Sequence, residues 1–93
     1  MYYILENKVP KKVDNLVEWS KKFNHNKIVD QTYIGDIFIS TVFLGLDHSF
    51  HNNTPILFET MIFGGEHDGF QERYATWDEA YEGHHRACAM VVG

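Results

Sequence analysis

Three features in the second half of the chain carry residue types that do not suit their surroundings. His84 falls on the apolar stripe of a helix-forming segment, Glu59 interrupts the run Ile56-Leu57-Phe58-Glu59-Thr60-Met61-Ile62-Phe63, and Asp47-His48 closes another apolar run. A carboxylate is costly to bury without a partner, so each interruption asks for one. Two imidazoles and a carboxylate are the nitrogen and oxygen donors that zinc favours, which makes His48, Glu59 and His84 a candidate metal set. Asp47 either completes the tetrahedron in place of water or accepts the free N–H of a ligating histidine and fixes its tautomer. His51, His67, Asp68 and Cys88 are reserves, Cys88 because it stands one helical turn from His84. The other reading of the same residues is that His84 and Glu59 are satisfied by buried hydrogen bonds, or that Glu59 emerges at a sheet edge.

The elements around these residues follow from periodicity. Tyr2 to Leu5 can form a first strand, and Pro10 introduces a helix in which Val13, Leu16, Val17 and Phe23 recur at helical spacing. Lys27 to Ile34 is rich in β-branched and aromatic residues, and Gly35-Asp36 turns it into the stronger strand Ile37 to Leu46. A polar loop then leads through Pro55 into a strand from Ile56 to Phe63, and the two should form an antiparallel hairpin. A register that pairs an even-numbered residue of the first strand with an odd-numbered residue of the second puts His48 and Glu59 on one face; a last helix on that face would bring in His84.

Residues 66 to 75 read as a loop, and Thr76-Trp77-Asp78-Glu79 fits a capping box opening the last helix. Its inward stripe is Trp77, Ala80, Tyr81, His84, Ala87, Cys88 and Val91. The expected fold is α+β: an antiparallel sheet of three to four strands packed with two helices, in the order β-α-β-β-β-α, over a single domain spanning residues 1–93.

Composition narrows the functions. With 44% hydrophobic and 15% aromatic residues, the 93-residue chain can build one core. Cys88 is the single cysteine, so no internal disulfide forms; the start of the chain is charged too soon for a secretory signal, and no apolar run is long enough to span a membrane. A cytoplasmic protein is expected. The net charge of −5 is unevenly spread: the six lysines lie within residues 8–27, and acids dominate from Asp47 onward. Direct nucleic-acid binding is disfavoured, whereas cations or a basic protein are suitable partners. Gly64-Gly65 lacks a following Lys-Ser/Thr and is no phosphate loop, and a cysteine on an apolar stripe is no nucleophile.

Three blocks carry a resemblance: Ser40-Thr41-Val42-Phe43-Leu44-Gly45-Leu46-Asp47-His48; Leu57-Phe58-Glu59-Thr60-Met61-Ile62-Phe63-Gly64-Gly65; and Arg73-Tyr74 with Thr76-Trp77-Asp78-Glu79-Ala80 and Gly83-His84. Together they resemble a widespread set of small phage and prophage proteins over roughly residues 37–85. Within that set the chain resembles a type II-A anti-CRISPR protein, an inhibitor of the RNA-guided nuclease Cas9. The resemblance implies a metal-binding protein of the host bacterial cytoplasm that occupies a surface of Cas9 and performs no catalysis. A family site would map to Asp47, His48, Glu59 and His84.

Three functions are therefore in view: a zinc-stabilised inhibitor, a small metal-dependent hydrolase with an open coordination position, and an acidic interaction module in which the histidines are incidental. Nickel, cobalt or iron would also suit mixed imidazole and carboxylate ligands.

Overall fold

The computed structural model describes residues 2–23, 27–47 and 54–93. The chain runs β1 (Tyr2–Glu6), β2 (Val9–Val13), α1 (Leu16–Phe23), β3 (Ile28–Ile34), β4 (Ile37–Phe43), β5 (Phe58–Phe63), β6 (Gln71–Tyr74) and α2 (Trp77–Val92). The class is α+β, with a four-stranded antiparallel sheet ordered β3-β4-β5-β6 and a separate two-stranded hairpin β1-β2. The expected β4-β5 hairpin is present, and its register pairs Val42 with Glu59 and Thr41 with Thr60.

Two strands exceed the expectation. Pro10 lies in β2, opposite Leu5, and does not open a helix; α1 begins only at Leu16, where the Asn15 side chain accepts from the backbone N–H groups of Val17 and Glu18. Proline is tolerated in β2 because a two-stranded hairpin always has a side on which no N–H is needed. Asn7 and Lys8 both take positive φ, at 50° and 69°, which gives the turn the twist its flanking strands require. The other addition, β6, occupies a segment read as loop.

Alternation in β4 and β5 decides what faces the last helix. Ile39, Thr41 and Phe43 of β4 are buried, as are Phe58, Thr60 and Ile62 of β5, and α2 packs across all four strands on this side. Two apolar groups fill the interface: Phe43, Leu57, Phe58, Tyr74 and Ala80 at one end, and Ile39, Ile62 and Ala87 at the other. Between them the core is polar. The helix stripe is as expected except that Tyr81 is exposed, its ring tilted against His85 at 4.5 Å, while Gly83 lies in the buried row.

The capping box is formed as read. Thr76 Oγ1 accepts from the backbone N–H of Glu79 at 3.1 Å, and the Glu79 carboxylate accepts from the backbone N–H groups of Thr76 and Ala75. Thr76→Ala is expected to lower the unfolding free energy by about 1 kcal/mol. A urea titration shows this as a lower midpoint at unchanged slope.

Candidate functional site

His84 is the most deeply buried polar group of α2, at 1% exposure, and both of its ring nitrogens are used. Nε2 lies 2.8 Å from Thr32 Oγ1 of β3, and Nδ1 lies 2.7 Å from Thr41 Oγ1 of β4. The chain of bonds continues across the sheet. Thr41 Oγ1 is 2.5 Å from Thr60 Oγ1, Thr60 Oγ1 is 3.0 Å from the Tyr74 hydroxyl, and that hydroxyl is 2.9 Å from Glu72 Oε1, which Arg86 also binds at 3.0 Å.

Counting protons along this chain fixes its direction. A carboxylate held by an arginine only accepts, so the single proton of Tyr74 goes to Glu72. Tyr74 then accepts from Thr60, Thr60 accepts from Thr41, and the Thr41 oxygen is left to accept from His84 Nδ1–H. Nε2 carries no proton and accepts from Thr32. One neutral tautomer therefore satisfies every hydroxyl, and no buried side-chain N or O among the described residues lacks a partner.

Burial holds the His84 pKa below the ordinary imidazole value of 6.5, and His85 adds to the effect; the Asp30 carboxylate, 3.9 Å from Nε2, opposes it. Burial also pushes Tyr74 up to about 12, with the Glu72 carboxylate adding to the rise and the Thr60 hydrogen bond opposing it. The sign of the pH effect follows from the histidine. In the unfolded chain His84 gains its proton near 6.5, while in the folded chain it resists, so its contribution is intact above that pH and is lost as the pH falls below it. The slope from one such proton is at most about 1.4 kcal/mol per pH unit. Urea midpoints between pH 7.5 and pH 5 should therefore fall more steeply for the natural chain than for His84→Gln. Equal slopes would contradict the assignment.

Glu59 has a different environment. It neighbours Thr60 in β5 and so points to the opposite face of the sheet from α2. There it accepts from Arg73 Nε at 2.9 Å and from Gln71 Nε2 at 2.6 Å, both on β6, and is 8% exposed. Asp47 is half-buried and accepts from the backbone N–H of Ile56 at 2.9 Å, closing the segment before β5.

The expected meeting of His84 and Glu59 on one face is therefore corrected. The β4-β5 register pairs even with odd residues, which meets the stated condition, but α2 lies on the other side of the sheet, so His84 and Glu59 do not share a face. His48 and His51 lie outside the described residues. Of the reserves, His67 and Asp68 sit in the β5-β6 turn, where Asp68 accepts from Gly64 N–H, and Cys88 is half-buried among apolar residues. Among the described residues no three His, Cys, Asp or Glu side chains gather as a metal set. His84 and Glu59, on opposite faces of the sheet, do not fit as ligands of one shared zinc.

Sequence reasoning missed Thr32, Thr41, Thr60, Tyr74, Glu72 and Arg86. A signal was present for two of them. Thr41 and Thr60 occupy core parity in otherwise apolar strands, between Ile39 and Phe43 and between Phe58 and Ile62. A polar residue on each strand at such a position calls for a shared partner. Compared with protein-family models, with curated proteins and with solved structures, the chain matches none.

Proposed function

We propose that the chain acts by binding another protein and not by catalysis, and that its partner is the Cas9 nuclease suggested by the anti-CRISPR resemblance of residues 37–85. The observation that supports this most is the placement of the reactive side chains. His84 and Glu59, the groups best suited to acid-base or metal chemistry, are both buried and bonded, while the sheet face away from α2 leaves Tyr33 at 73% and Phe63 at 45% exposure. A solvent-facing apolar row on a rigid sheet is a feature of contact surfaces.

Charge supports the same reading. Residues 28–93 carry ten acids against Arg73 and Arg86, which favours approach to a basic surface, and a protein that grips nucleic acid has one. No helix is long and apolar enough to cross a membrane among the described residues, which agrees with a proposed place in the bacterial cytoplasm.

The test is a DNA-cleavage assay with guide-loaded Cas9 and increasing amounts of the purified chain. Cleavage should fall to background near stoichiometric protein; undiminished cleavage at a large excess would remove the Cas9 reading. Binding of this kind runs through no ion shared by His84 and Glu59, whose donors are occupied by hydroxyl, guanidinium and amide groups. Chelator is expected to leave the melting temperature of untagged protein unchanged. A fall of several degrees, with metal found at one equivalent, would restore the zinc-stabilised inhibitor.

A further inference from the structure

The face of the sheet turned away from α2 has a pattern that narrows the kind of partner it takes. Tyr33, Phe38 and Phe63 lie directly opposite one another on β3, β4 and β5. Their rings stack in a row, 4.6 Å apart at 26° and 5.9 Å apart at 24°. Such pairs stabilise a sheet, but stacking does not use every ring face, since the outermost rings remain open to solvent.

The row stands at one end of the sheet, where the β3-β4 and β5-β6 turns lie side by side. A Cβ placed on Gly64 would sit 3.4 Å from the Asp36 carbonyl oxygen. These turns carry Asp36, Glu66 and Asp68, all exposed, with His67 between the last two and no lysine or arginine. The single cationic side chain on this face of the four described strands is Arg73, held by Glu59 toward the other end of β5. The turns at the end of the aromatic row thus carry three exposed carboxylates and no lysine or arginine.

We infer that this end of the open face is a docking surface for an arginine-bearing segment of a basic protein. A guanidinium can lie flat on an open aromatic ring and direct its N–H groups to carboxylates at the ring's edge, which a bare ammonium does less well. Tyr33 and Phe63 supply the ring faces, Phe38 holds them in line, and Asp36, Glu66 and Asp68 supply the charge. Nucleic acid is repelled by the same carboxylates, and a neutral apolar partner would gain nothing from them. The inference rests on the binding reading above and adds the surface and its chemistry.

The test is an NMR titration of the 15N-labelled full chain with a peptide of alternating arginine and glycine, beside peptides with lysine or glutamate in place of arginine. Shift changes should centre on Tyr33, Phe38, Phe63, Asp36 and Asp68, be weaker with lysine and be absent with glutamate. Tyr33→Ala should weaken arginine-peptide binding at least about tenfold, while Tyr81→Ala on the far side of α2 should not. Raising the salt should weaken it as well. No shifts at millimolar peptide, shifts centred elsewhere, or unaltered binding by Tyr33→Ala would each overturn the inference. The cleavage assay separates the two levels: inhibition by the natural chain that Tyr33→Ala leaves intact rejects this surface but keeps the binding function, whereas no inhibition by the natural chain rejects the Cas9 reading and leaves the surface to the peptide result.

Discussion

Gly83→Ala should destabilise the protein by about 3 kcal/mol or more, although alanine is the better helix former by about 1 kcal/mol. The reason is the Tyr74 ring. A Cβ on residue 83 would come within 2.1 Å of the tyrosine oxygen, 2.3 Å of Cζ and 2.4 Å of Cε1, so either the ring or the helix must move. The helix is held on both sides of this point by Ala80 and Ala87, each buried against the sheet. Displacing the ring instead breaks its bonds to Thr60 and Glu72 and takes the direction out of the hydroxyl chain. Losses of this size are a large share of the stability of a small domain. Thermal or urea unfolding measures the effect, and Tyr74→Ala in the same chain should recover part of it by making room. Strict additivity of the two substitutions would mean that the contact is not what makes Gly83 necessary.

The second large effect is expected at His84. His84→Leu keeps approximate volume but takes the acceptor from the half-buried Thr32 hydroxyl and the donor from the buried Thr41 oxygen, which keeps only its bond to Thr60. A loss of about 1–3 kcal/mol follows from one hydroxyl without its acceptor and one buried oxygen without its donor. The informative comparison is His84→Leu combined with Thr32→Val and Thr41→Val, which removes the partners along with the ring nitrogens. That triple variant should be more stable than His84→Leu alone, because apolar groups of like shape do not demand partners. If His84→Leu is neutral, the histidine is not a member of a satisfied network. If the chain inhibits Cas9 as proposed, inhibition should survive in any His84 variant that still folds, since the proposed contact surface is on the other face.

What the sequence allowed to be read, and what it hid, follows from how each element is specified. The capping box at Thr76–Glu79 and the runs Ile37–Leu46 and Ile56–Phe63 carry strong local signals, so α2 and the β4-β5 hairpin were legible. The β1-β2 hairpin was not, because its turn is Asn7-Lys8 where Asn-Gly is the usual signal, and Pro10 resembles a helix start. Strand β6 is four residues with only Tyr74 buried, and nothing in Gln-Glu-Arg-Tyr alternates in hydropathy.

The site shows the limit most plainly. That His84 is buried and that Glu59 is paired both follow from local pattern. Which face of the sheet receives α2 does not, because the connection between β5 and α2 passes through β6 and can end on either side. That single choice turned an expected pair of metal ligands into two separate structural groups, one held by threonines and the other by Arg73 and Gln71.

The central claim is that His84 serves the fold as a neutral ring bonded on both sides. Long-range 1H–15N correlation spectra of the histidine side chains at neutral pH read it directly. One histidine, absent from the His84→Gln spectrum, should be locked with its proton on Nδ1 and be unmoved by chelator. A proton on Nε2, a doubly protonated ring, or a signal that shifts when metal is stripped away would contradict it.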